Sequence, residues 1–245
     1  MLVKENKTTL KKKQKEFNKA MDDYHSHSYY QYIYKFISIS VVILQLLLIV
    51  KLFELNISWY SSILALFIAY FLTDFINGWV HMYMDNNDNY SDPWGSFIAS
   101  FHLHHQTSKY KNANLLFIYF NESGAKFWLV PYLLVVLWLS SLNVDPFTLL
   151  VLILIGILSS VAEVSHYLCH NGSSQLVTIL QKYRILLPMS HHKHHHENEN
   201  QSYAFLNGSS DFILDYIAQK LYRGYKDGSD KHFETYKGTG TDNRE

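Results

Sequence analysis

The sequence predicts an all-α fold, an integral membrane bundle of about four transmembrane helices with a His-rich helical cap on the cytosolic side. Three observations predict it. Long apolar runs carry almost no charge, among them ISISVVILQLLLIV at 37–50 and PFTLLVLILIGILSS at 146–160. Lysine and arginine gather on one side of those runs. Histidine clusters fall at the ends of the runs on that same side. The mean hydropathy of −0.08 conceals the contrast between polar ends and an apolar middle.

The N-terminal 1–30 is rich in Lys, Asn and Gln and reads as a mobile polar tail. It lacks an apolar core within its first twenty residues, so no cleavable signal peptide is expected. A membrane-embedded domain follows over 31–225, and a second polar tail over 226–245. A crossing needs about 20 mostly apolar residues. Segments 31–53, 59–80 and 146–167 meet that length, and 127–142 is a shorter candidate. The last two read as a hairpin turning at Asn143-Val144-Asp145-Pro146, with Pro146 suited to a helix start. Residues 86–100 read as loop, and 211–224 as an amphipathic surface helix with Phe212, Ile213, Tyr216, Ile217 and Leu221 on one side.

With four crossings, the tail carries Lys4, Lys7, Lys11, Lys12, Lys13, Lys15 and Lys19, and the middle loop Lys109, Lys111 and Lys126. Nine further basic residues follow the last crossing, and only Lys51 lies near the opposite side. The positive-inside rule then puts both termini and the middle loop in the cytosol. The histidine clusters come to that face by the same count. The membrane would be the endoplasmic reticulum in a eukaryote or the inner membrane in a bacterium.

Zero formal charge excludes a nucleic-acid footprint, and the single Cys169 excludes an intrachain disulfide or a Cys-based zinc finger. Five histidines crowd into 191–196, His104-His105 lies upstream, His166 and His170 are four apart, and His81 closes an apolar helix. Neutral imidazole is the commonest protein ligand for transition metals. On a helix, His166 and His170 share a face, as do His191 with His195 and His192 with His196. Adjacent residues point about 100° apart, so the HHxxHH segment can serve two metals. His194 falls outside that pattern, and His25 and His27 lie in the polar tail.

The set His81, His104, His105, His166, His170, His191, His192, His195 and His196 exceeds what one zinc ion takes and suggests two metals. Carboxylate di-iron bundles use two Glu-x-x-His motifs. This chain has one, Glu163-Val164-Ser165-His166, so a histidine-rich di-iron site is the better match. Bis-His haem would need isolated histidines deep in the spans, whereas these are paired at span ends. Asp74, Asp85 and Glu163 are read as groups that orient the ligand imidazoles. Cys169 is read as packing, and no catalytic residue is expected beyond the metal ligands.

Asp74-Phe75-x-x-Gly78-x-x-His81-x-x-x-Asp85, His104-His105, His166-x-x-x-His170 and Leu187-Pro188-x-x-His191-His192-x-x-His195-His196 follow in order. Together they resemble the Kua lipid desaturase family over about residues 70–215, a family that includes plasmanylethanolamine desaturase and a plastid phosphatidylglycerol acyl desaturase. Met82 stands where members often carry Trp, Gln106-Thr107 follows the His104-His105 pair, and Asn198 and Asn200 occupy a stretch where a further histidine is common. The resemblance implies a di-iron centre held by the nine histidines, a phospholipid substrate, O₂, and removal of two hydrogens from a lipid chain. The bond next to the ether oxygen of plasmanyl lipids is the leading expectation. An external electron donor, cytochrome b5 or a ferredoxin, is implied because the chain shows no flavin or haem domain. A lipid hydroxylase, a fatty acyl desaturase and a His-rich metal transporter are the alternatives. Transport predicts ionisable residues along the spans, which are sparse before Glu163.

Overall fold

Three helices are long and apolar enough to cross a bilayer: α2 (Tyr29–Leu52), α3 (Trp59–Asp85) and α7 (Pro146–Asn171). The computed structural model describes residues 7–105, 113–121, 126–172, 174–197 and 201–222, and every element among them is helical. At 24, 27 and 26 residues the three helices reach ~36–40 Å, against ~30 Å for a hydrocarbon core. Their starts are written in the sequence. Ser58 accepts a hydrogen bond from Ser61 N, and Asp145 from Thr148 N at 2.9 Å with Pro146 as the first helical residue. Outward faces stay apolar: Phe36, Ile39 and Val50 on α2, and Ile63, Leu64 and Phe67 on α3, are all exposed. Exposed aliphatic faces of that length fit lipid contact rather than water. Burial covers 56% of the apolar window of α7 but 28% and 33% of those of α2 and α3, so α7 stands at the centre.

The fourth apolar run is not one long helix. α6 (Leu129–Leu139) has 11 residues, about 17 Å, because Pro131 has no N–H to offer the carbonyl of Phe127 and its ring blocks upstream continuation. A separate helix, α5 (Leu115–Asn121), precedes it. Ala113 N donates to Tyr167 Oη, Tyr119 Oη to Ile157 O, and Tyr132 Oη to Leu152 O. The partners on α7 therefore step back from 167 to 152 as the chain advances, so α5 and α6 run antiparallel to α7 as one broken track.

Lys126 sits at that break rather than in an exposed loop. It is 1% exposed, and its Nζ donates to Tyr119 O at 3.1 Å and to Ser160 Oγ at 3.5 Å. Gln45 joins the same polar knot, donating to Gly156 O and Ser160 Oγ. Gly156 makes room for α6, since a Cβ there would stand 2.5 Å from Leu133 Cδ2.

Two stretches differ from the sequence expectation. Within the polar tail, α1 (Lys7–Ser26) buries Phe17, Ala20, Met21 and Tyr24, an i, i+3, i+4, i+7 stripe that the Lys-rich composition hides. It packs on α4 (Gly95–His102), which takes up 95–100 of the stretch 86–100 read as loop, while 86–94 stay outside any helix. Lys13 pairs with Asp88 at 2.9 Å, and Asp23 accepts from Ser96 Oγ and from Tyr30 Oη. Past α7, α8 (Gln175–Lys182), α9 (Met189–Glu197) and α10 (Asp211–Leu221) close that end of the bundle. The tail 226–245 lies outside the described residues.

Candidate metal centre

One end of the bundle collects the histidines from four separate stretches. His81 and Asp85 occupy successive turns of α3, and His104 lies in a short 3-10 turn, Leu103–His105, directly after α4. His166 and His170 end α7, and His192, His195 and His196 come from α9. α9 is helical, as its HHxxHH spacing requires.

Donor atoms converge in two groups that could each hold a metal ion. His81, Asp85, His104 and His195 form the first, and His166, His170 and His192 the second, with donor atoms in each within 4.8 Å of one another. In the first, His81 Nε2 and His195 Nε2 each stand 3.2 Å from Asp85 Oδ2. His81 and His195 are 1% and 0% exposed, and Asp85 0%. Every Nδ1 in this group faces a backbone carbonyl: His81 to Tyr203 O at 2.7 Å, His104 to Phe101 O at 2.5 Å, and His195 to Gln201 O at 2.8 Å. A carbonyl only accepts, so each Nδ1 carries the proton and each Nε2 presents a lone pair to the interior. That is the tautomer a metal ligand needs.

The second group centres on His192 Nε2, which lies 3.1 Å from His166 Nε2, 2.9 Å from His170 Nε2 and 2.8 Å from His196 Nε2. His196 thereby joins the group. Hydrogen bonding cannot satisfy all these approaches, since a ring nitrogen either donates one proton or accepts at one lone pair. Nitrogens bound ~2.0–2.1 Å from a common ion sit about 3 Å apart, which matches the spacing here. Burial, followed by the neighbouring imidazoles of His166, His196 and His170, holds His192 well below its ordinary pKa and favours the neutral, ligating form. The groups adjoin, with ring centroids 6.2 Å apart for His81 and His166 and 5.4 Å for His104 and His166.

Three residues stand elsewhere. His191 turns away, its Nε2 2.5 Å from Asp211 Oδ2. Asp74 touches no imidazole and instead receives backbone amides of the segment 206–210. Glu163 is 3% exposed on α7, one turn before His166. The side chain of His105 lies outside the described residues. His194 is exposed, and His27 is exposed beside Asp23. His102 is buried between Tyr90 Oη and Met84 O, a packing role that sequence alone does not separate from ligation. Cys169 is buried against Leu187 O, as its packing role implies. The carbonyls of Gln201 and Tyr203 have no sequence signal, because every residue carries one. Asp85 stands among the donor atoms themselves, which its spacing from His81 permits but does not require.

The family model for the lipid desaturase domain matches residues 70–224, which holds every donor of both groups. The chain belongs to the lipid desaturase domain family. No curated protein and no solved structure matches it. Family and membrane-length helices together make it a membrane lipid desaturase. In this desaturase the matched region begins at Tyr70, so α1, α2 and most of the outer half of α3 lie before it.

Proposed function

We propose that the desaturase removes two hydrogens from a phospholipid chain using O₂ and a pair of iron ions, with the bond beside the ether oxygen of plasmanyl lipids as its target. The observation that carries this reading is the convergence of eight buried or half-buried donors into two adjoining groups. His81, Asp85, His104 and His195 would hold one ion, and His166, His170, His192 and His196 the other. Zinc is the weaker fit, because one zinc site closes with four ligands and does not call for a neighbour.

Bound iron would supply the activation of O₂ and the oxidising power needed to break an aliphatic C–H bond. The balance is two C–H bonds broken and one C=C bond formed, while O₂ leaves as two waters after taking up two further electrons and two protons. The electrons come from a separate carrier protein, such as cytochrome b5 or a ferredoxin. The chain's own residues fix the imidazoles, turn the Nε2 atoms of His81, His104 and His195 to the interior, and shield the centre with Phe101, Tyr203 and Phe205, whose rings lie 4.8–5.8 Å from ligand imidazoles.

Depth supports the choice of bond. His81 lies 22 residues beyond Trp59 and His166 20 residues beyond Pro146, or about 33 and 30 Å along their helices. With Trp59 and Pro146 taken as the far edge of a ~30 Å hydrocarbon layer, both would stand near its other edge, level with the first carbons below a headgroup. The test is expression of the wild type and His192→Ala in cells that make plasmanyl lipids but no vinyl ethers, followed by mass spectrometry of acid-labile lipids. Product from the wild type alone is expected. Product from both His192→Ala and His166→Ala would overturn the ligand assignment. An iron-loaded wild type without vinyl ether product would move the target to an acyl chain or to hydroxylation.

A further inference from the structure

The segment Gln201–Ser210 leads into α10 without regular structure, yet Ser202 to Asn207 are all buried. A buried backbone outside helix or sheet must find side-chain partners for its N–H and C=O groups. Asp74 supplies four of them, all at the 206–210 end. Its Oδ1 accepts from Leu206 N at 3.1 Å, Asn207 N at 2.9 Å and Gly208 N at 3.2 Å. Its Oδ2 accepts from Ser210 N at 2.9 Å, Ser210 Oγ at 2.8 Å and Ser209 Oγ at 3.3 Å. Asp74 is fully buried within α3, and this nest of donors solvates the carboxylate in place of water.

Two further carboxylates grip the other half of the segment. Asp211 accepts from Ala204 N at 2.8 Å and Asp215 from Ser202 N at 2.7 Å. Ser202 is held at φ +61, a conformation that a non-glycine residue keeps only where its surroundings impose it. Gly208 is at φ +82, and a Cβ there would meet the His191 ring at 3.0 Å. Tyr203 O and Gln201 O belong to the two peptides that Asp211 and Asp215 hold, and they face His81 Nδ1 and His195 Nδ1.

We infer that Asp74 is a positioning residue for the first metal group: it anchors the 206–210 end of the strap, Asp211 and Asp215 hold the end that bears the carbonyls, and those carbonyls fix the tautomer and aim of His81 and His195. This rests on the ligand reading proposed above. It also explains an acid in mid-span that touches no histidine. Among the described residues, the strap carbonyls that meet an imidazole Nδ1 serve His81 and His195 of the first group, so the two groups differ in their dependence on Asp74.

The test is Asp74→Asn in the full chain, purified from ⁵⁷Fe-grown cells. The amide keeps one acceptor oxygen but turns an NH₂ against donors of the strap. Iron affinity of the first group should fall ~10–100-fold, as outer-partner losses do elsewhere. Bound iron should drop towards half the wild-type content. The Mössbauer doublet of one site should change while the other persists, and hydrogen exchange should rise in 201–210 but not in α2 or α6. Ser210→Ala, which removes one hydroxyl donor only, should shift the same doublet in milder form should Asp74→Asn fail to accumulate. Wild-type iron content with both doublets unchanged, in whichever of the two variants accumulates, overturns the positioning role. A wild type that binds no iron overturns the ligand reading itself, and the strap proposal with it.

Discussion

His191 and His192 are neighbours in sequence and meet different partners in the fold. His192 meets three other imidazoles at its Nε2, whereas the ring of His191 is taken by Asp211. Helical geometry requires the divergence, since consecutive side chains leave α9 about 100° apart. The HHxxHH spacing reveals that two faces exist but not which face turns inward; that depends on how α9 packs against α7, where His166 and His170 meet His192. His192→Ala is therefore expected to empty the second group of metal and abolish turnover. His191→Gln, which keeps a hydrogen-bond donor for Asp211, should retain most of the iron with a modest loss of stability. Metal analysis of the two purified variants separates the cases. Iron loss in a stably folded His191→Gln would return that residue to the ligand set. His194→Ala, on the exposed side of α9, should match the wild type in both measurements.

Among the helices, the broken track of α5 and α6 is where polar groups enter an apolar bundle. A buried ammonium is costly unless its donors are met, and Lys126 meets Tyr119 O at the C-terminal end of α5, where a cation also complements the helix dipole. Lys126→Met should leave the Tyr119 carbonyl short of a donor and cost about 1–3 kcal/mol. A fall in the detergent melting temperature without change in the ultraviolet signature of bound metal would bear this out, and an unchanged melting temperature would refute it. The three long helices were legible because length, apolarity and N-caps at Ser58 and Asp145 point the same way. The break was also legible in principle, from Pro131 and from a lysine close to an apolar run. α1 was harder to see: its apolar stripe is four residues in a segment whose charge dominates any average, and it needs α4 to pack against. The strap was not legible at all, because its role lies in backbone carbonyls.

For the molecule as a whole, the metal end is also the end where amphipathic helices show apolar rings outward. α8 buries Val177 and Gln181 but exposes Leu176, Ile179 and, just beyond its end, Tyr183. α10 buries Leu214 and Ala218 against Met82 and Tyr203, and exposes Phe212 and Tyr216. Trp79 and Tyr83 on α3 are exposed as well. Aromatic rings at the end of a span suit the headgroup layer, where an apolar body and a polar tip are both accommodated. An exposed apolar face that continues the lipid-facing surface of α3 has its natural partner in the same membrane. Under the proposed function, this arrangement predicts that the lipid substrate reaches the centre sideways from its leaflet. Cys169 is the single cysteine and is buried, so Cys169→Ala gives a background for spin labels at Leu176→Cys, Phe212→Cys and, as an aqueous reference, Lys193→Cys. In bilayers the labels at 176 and 212 should collide more with O₂ than with a water-soluble nickel chelate, and the label at 193 the reverse. Labels at 176 and 212 that respond to the chelate as strongly as the one at 193 would lift both helices clear of the membrane, and the lipid would then have to leave its leaflet to react.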